Sequence, residues 1–147
     1  ATVVVRDQGR QIVASMHSGD GEDGTLNIPL ADGSYLLSTS ARGYGTATLP
    51  VTAPSQGLRV GLTPGGTLVI ESPRDLRGRA RLLQPDGEEY VQCWCNGMAD
   101  IDLSGRRTTV EHITPGSYTL EVLEGEEVVA RAPVTLREGQ TTTVPID

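Results

Sequence analysis

Residues 112–122 read His-Ile-Thr-Pro-Gly-Ser-Tyr-Thr-Leu-Glu-Val, and residues 30–37 read Leu-Ala-Asp-Gly-Ser-Tyr-Leu-Leu. In each stretch a turn pair, Pro115-Gly116 or Asp32-Gly33, precedes a serine, a tyrosine and an alternating run. Proline presets its own φ and glycine tolerates a positive one, so each pair bends the chain. A strand at period two comes next. Tyr118, Leu120 and Val122 point to one face, and Ser117, Thr119 and Glu121 to the other. In the earlier stretch Tyr35 and Leu37 face in, while Ser34 and Ser38 face out.

The likeness extends outward at a constant spacing. Tyr118 and Tyr35 are 118 − 35 = 83 apart, and so are the Pro-Val-Thr triplets at 133 and 50, since 133 − 50 = 83. Two separated anchors at one offset indicate an internal repeat. In each copy there is a second alternating run: Val128, Ala130, Ala132, Val134 and Leu136 in the later one, Ala47, Leu49 and Val51 in the earlier. After a turn, a last strand carries Leu58, Val60 and Leu62, or Val144 and Ile146. The front halves align as Ala1 to Gly9 with Ala80 to Gly87, a strand and then an Asp/Gly hairpin. The later copy has a further strand, Thr67-Leu68-Val69-Ile70, which the earlier copy lacks. The sequence begins at Ala1, so that strand is expected upstream in a longer parent; no signal peptide precedes Ala1, and the sequence reads as a mature protein or a fragment of a longer one. The organisation predicted is residues 1–62, a Pro/Gly joint at 63–66, and residues 67–147.

Composition agrees. Among 147 residues there are 18 glycines and 9 prolines, no phenylalanine and one tryptophan, a profile of short strands and tight turns. No window sustains the helical spacing i, i+3, i+4, i+7, so the fold class is all-β with little or no helix. The formal charge of −7 disfavours nucleic acid and anionic lipid as partners. All twelve basic residues are arginine, which excludes lysine Schiff bases and Lys–Asn isopeptide cross-links. No apolar run approaches the roughly 20 residues of a membrane span.

The motifs Ala31-Asp32-Gly33-Ser34-Tyr35 with Ala41-Arg42-Gly43-Tyr44, and Thr114-Pro115-Gly116-Ser117-Tyr118 with Pro133-Val134-Thr135-Leu136, resemble carboxypeptidase regulatory-like domains. The resemblance implies two tandem Greek-key β-sandwiches of transthyretin-like (prealbumin-like) type. It also implies a non-catalytic companion domain of an extracytoplasmic, bacterial protein. The chain departs from the family at Ser104-Gly105-Arg106-Arg107, which reads as an extra hairpin. The urate-pathway hydrolases related to transthyretin need several histidines and a C-terminal Tyr-Arg-Gly-Ser. This chain has only His17 and His112 and ends Val-Pro-Ile-Asp.

Candidate chemistry is sparse. In Tyr90-Val91-Gln92-Cys93-Trp94-Cys95 the cysteines are either buried thiols or a Cys-x-Cys metal or redox pair, but the histidines lack zinc spacing. Cysteines facing in would leave Tyr90 and Trp94 facing out, as an interface or a sugar platform; with the parity reversed Trp94 is core. The acidic loop Asp20 to Asp23 fails the EF-hand register and reads as a solvated hairpin loop, though a weak calcium site shared with a neighbouring loop stays open. Asp100 and Asp102 share a strand face at roughly the spacing of a glycosidase carboxylate pair, with nothing to suggest an enclosing cleft. Glu111, His112 and Ser117 form no triad, since neighbours point to opposite faces. No cofactor is expected. The function expected is a spacer, stalk or docking module contacting neighbouring domains or another protein; the alternative is carbohydrate or peptide binding through Tyr90 and Trp94 or a sheet edge.

Overall fold

β-Branched residues dominate the opening Thr-Val-Val-Val-Arg, and such residues pack well on a pleated surface. They form β1 (Thr2–Arg6), the centre of a sheet with β2 (Ile12–His17), β3 (Gly33–Ser40) and β4 (Ala47–Ala53). The order is β2-β1-β3-β4, every pair antiparallel. The computed structural model describes residues 1–17, 26–91 and 100–147.

The second sheet comprises β5 (Gly66–Leu83), β6 (Ile101–Ile113), β7 (Gly116–Glu124), β8 (Glu127–Leu136) and β9 (Thr141–Pro145). Its order is β6-β5-β7-β8, and β9 pairs with the opening part of β5 in parallel. β5 can serve both places because it bends. Between Glu71 and Leu76 it advances 76 − 71 = 5 residues while β6 advances 107 − 105 = 2. The opening part of β5 therefore lies between β6 and β9, and the later part between β6 and β7. Side chains from both parts, Leu68 and Ile70 with Ala80 and Leu82, meet in one core with Leu120, Val134 and Val144. The chain is all-β, with no helix among the described residues.

The alternation read from Tyr118 holds: Tyr118, Leu120 and Val122 are buried, and Ser117 and Thr119 exposed. Glu121 is buried against expectation, because Arg81 and Arg131 both bond it, at 2.8 and 2.6 Å. Ser38 lies on the outer face, as expected, but is buried there, its hydroxyl 2.8 Å from that of Thr48. Val4 and Arg6 on that face are buried too, while Ser15 and Thr48 there are exposed. Thr67-Leu68-Val69-Ile70 is no separate strand but the opening of β5. Ser104-Gly105-Arg106-Arg107 is no hairpin; β6 runs through it, and the irregularity lies across from it at residues 72–75 of β5. The strand expected over Leu58, Val60 and Leu62 is not formed, for those residues have no ladder partner among the described residues. In the second half, the corresponding β9 pairs, among the described residues, only with β5.

Candidate functional site

The most concentrated polar chemistry lies where the two halves meet. β1 ends in a turn at Asp7, and β5 ends in a turn that returns through Glu88 to Tyr90, whose backbone N–H donates to Leu82 O at 2.8 Å. This brings the Tyr90 ring into the second core, edge-on to Tyr118 with ring centroids 5.5 Å apart. Its hydroxyl emerges at the first half. There it accepts from the backbone N–H of Thr46 at 3.0 Å and from that of Thr114 at 3.1 Å. The Thr114 hydroxyl donates to Thr46 O at 2.5 Å. Its one proton is thereby engaged, so the Tyr90 proton is the one that bridges the 3.2 Å between the two hydroxyls. Thr114 O in turn accepts from the Tyr118 hydroxyl at 2.5 Å. Burial, and then the neighbouring Tyr90, raise the Tyr118 phenol above its ordinary pKa, so Tyr118 stays a neutral donor.

Backbone contacts tighten the same place. The N–H of Gly45 donates to Thr63 O at 2.8 Å, and a Cβ on Gly45 would lie 2.6 Å from the Thr114 hydroxyl oxygen. His112 donates from Nδ1 to Pro64 O at 2.8 Å. The joint expected at 63–66 is thus bonded to both sides rather than free. Arg10 forms an ion pair with Glu88 across the junction.

Beside this knot runs a cleft of about 590 Å³, lined by Arg6, Leu36 and Pro50 of the first half and Glu88, Tyr90 and Thr114 among others of the second. Desolvation lowers the Arg6 pKa, Glu88 opposing this and Arg10 adding to it. Arginine's ordinary pKa is so high that it stays charged near neutrality.

Of the residues singled out in the sequence, Tyr90 is found in the core and at the junction, not on an exposed aromatic face. Trp94, Cys93, Cys95 and the acidic loop Asp20 to Asp23 lie outside the described residues. Asp100 is ion-paired with Arg79 at 2.8 Å, while Asp102 is exposed. Glu111 and His112 approach to 3.9 Å, and Ser117 pairs with Thr135 in the β7–β8 ladder. His17 is 2.9 Å from the Thr2 hydroxyl at the far end of the first sheet. Among the described residues no group of three or more His, Cys, Asp or Glu could hold a metal ion. Sequence reasoning missed Thr46, Gly45 and Thr114. Thr46 and Thr114 are 68 residues apart, and nothing local marks a contact at that range.

No family model matches the chain, and no curated protein does. Among solved structures it is similar to the Bacillus anthracis TIE protein, at 14% identity with a TM-score of 0.38. That alignment covers 99% of this chain and 29% of the other.

Proposed function

We propose that this chain is a non-catalytic structural or protein-interaction module of a larger extracytoplasmic protein. In this reading it is a spacer, stalk segment or docking domain, built from two copies of one β-unit held in fixed orientation at Tyr90. The observation that carries the proposal is the bonded junction. A phenol taking three hydrogen bonds, two of them from backbone donors on opposite sides, resists bending in a way a Pro/Gly linker alone does not.

Support for two copies comes from matched local detail at the 83-residue offset. Tyr35 donates to Ala31 O at 2.6 Å, as Tyr118 does to Thr114 O, each to a carbonyl four residues back. Tyr35 faces Val51 as Tyr118 faces Val134. The front halves align at a different offset from the one expected. Val5 faces Leu37 and Leu82 faces Leu120, so Val5 answers to Leu82 and the offset is 82 − 5 = 77. Val3 then answers to Ala80; their partners Met16 and Ile101 are 101 − 16 = 85 apart. The second copy therefore carries 85 − 77 = 8 additional residues before β6. Tyr90 precedes β6 in that longer stretch, which suits a segment added for docking onto the first copy.

Neighbouring domains of the same protein, or another protein, are the partners this role implies. The carbohydrate alternative loses one of its two aromatics, since Tyr90 is buried. Amide ¹⁵N relaxation on the whole chain tests the proposal. One rotational correlation time for residues 1–53 and 66–147 is expected; separate, shorter times for the two halves would sink the fixed-spacer reading.

A further inference from the structure

The junction joins unlike surfaces, the Tyr90 turn of the second half and the Gly45–Thr46 corner of the first. If the halves are copies, each also carries the counterpart of the surface that the other contributes. The counterpart of the Tyr90 turn is the turn after β1. Its bonds from Asp7 N to Gln11 O and from Arg10 N to Asp7 O recur as Gln84 N to Glu88 O and Gly87 N to Gln84 O. Arg10 and Gly87 share a left-handed φ, at 66° and 85°, and Arg6 faces Ile12 as Leu83 faces Glu89. At that offset Tyr90 answers to Val13, since 90 − 77 = 13. The counterpart of the corner opens β8. Thr39 faces Ala47 as Val122 faces Ala130, so Gly45 and Thr46 answer to Val128 and Val129. Thr114 answers to Ala31, the residue whose carbonyl Tyr35 bonds.

What makes the junction is what the counterparts lack. Val13 has no hydroxyl to accept from a backbone N–H, and Ala31 has none to donate as Thr114 does to Thr46 O. Gly45 is bare where a Cβ would lie 2.7 Å from the Thr114 backbone nitrogen. Val128 brings that Cβ, and Ala31 carries the same backbone nitrogen. Nothing else closes these surfaces. Val13 and Val129 are each 46% exposed. Thr48 and Gln84 line the cleft from the two halves, and their counterparts Arg131 and Asp7 are of opposite charge. Apolar surface and charge would favour the contact that the missing hydroxyls and the added Cβ prevent. We propose that the junction is a single-use lock: the second half seals onto the first, and neither outward surface, the turn with Val13 or the corner with Val128 and Val129, takes a further copy of the unit. A contact between unlike surfaces repeats without end unless its geometry closes, so a repeated unit needs such a block against head-to-tail growth. A protein holding several such pairs is then rigid within each pair and jointed between them.

The inference rests on reading the halves as copies. Failure here leaves the common tumbling time of the two halves untouched, so the two readings fall separately. The test uses the whole chain in two variants. Val13→Tyr with Ala31→Thr rebuilds the phenol and the hydroxyl on the turn side, and Val128→Gly with Val129→Thr rebuilds the corner. By sedimentation the natural chain, and each variant alone, is expected at the mass of one chain at every concentration. The two variants mixed are expected to shift to twice that mass, and the shift is expected to vanish when the corner variant keeps Val128. Natural chains that grow into open-ended oligomers would overturn the proposal. So would mixed variants, both with well-dispersed amide spectra, that stay at the mass of one chain, or a complex that forms equally well with Val128 in place. Should Val128→Gly unfold, the natural chain still decides. Growth that Val13→Asp or Val129→Asp abolishes would show an outward surface taking a further copy, whereas one mass with and without those changes is the expected result.

Discussion

Tyr90 and Tyr118 are two phenols 5.5 Å apart doing different work, and their phenylalanine variants separate the two roles. Tyr118→Phe deletes one donor to Thr114 O, a loss of about 1 kcal/mol. Tyr90→Phe strips the acceptor from two backbone N–H groups at Thr46 and Thr114, which stay desolvated, and costs about 2–4 kcal/mol. Thermal melts should therefore rank Tyr90→Phe well below Tyr118→Phe; equal losses would mean that water replaces the Tyr90 oxygen. The aromatic character of Tyr90 was plain in the sequence and its direction was not. Strand parity assigns a face only while the strand continues, and the ladder from β5 reaches only Glu89. Ser38 misled for a related reason. A serine reads as outward on a sheet with one wet face, but Ser38 is buried on that face beside Val4 and bonds Thr48.

At the scale of elements, β7 was the most legible part, since its turn, its period and its inward face follow from local chemistry alone. Glu121 is the exception that packing added. Hydrogen bonds from Arg131 and then Arg81 hold its carboxyl below the ordinary range. A folded-state value below the unfolded one means that the stabilisation is complete above the unfolded pKa of about 4.3 and is lost as pH falls through the lower, folded value. Melting temperature should thus fall more steeply on acidification below about pH 4.5 in the natural chain than in Glu121→Gln. Parallel curves would show that other carboxylates set the acid limit. The long β5 was not legible as one strand, because Ser72-Pro73-Arg74-Asp75 carries the turn chemistry that ordinarily ends a strand. β6 continues opposite it and bridges the interruption. Residues 58–62 erred in the other direction. Their alternation is that of a strand, but a ladder needs a neighbour, and period alone does not provide one.

For the whole molecule, the 83-residue spacing predicts a division into halves, while the contacts between residues 1–62 and 63–147 lie too far apart in sequence to read. Gly45 is the most direct test of that junction. Its backbone requires no glycine-only φ, so alanine introduces one methyl group and little else. That methyl would press on Thr114 at 2.6–2.7 Å. Gly45→Ala should cost about 1–3 kcal/mol as an overpacked contact and shorten the tumbling times of both halves toward independent values. A variant that melts and tumbles like the natural chain would show that the junction has room to give. The parallel pairing of β9 with β5 has a mechanical consequence. Five register pairs, from Thr67 with Thr141 to Glu71 with Pro145, join the first strand of the second half to its last. A load applied at the N-terminal end of one and the C-terminal end of the other pulls parallel strands in opposite directions. Every bond in the ladder is then sheared together rather than peeled one at a time. Under a stretching force the second half is thereby the stiff section of the chain.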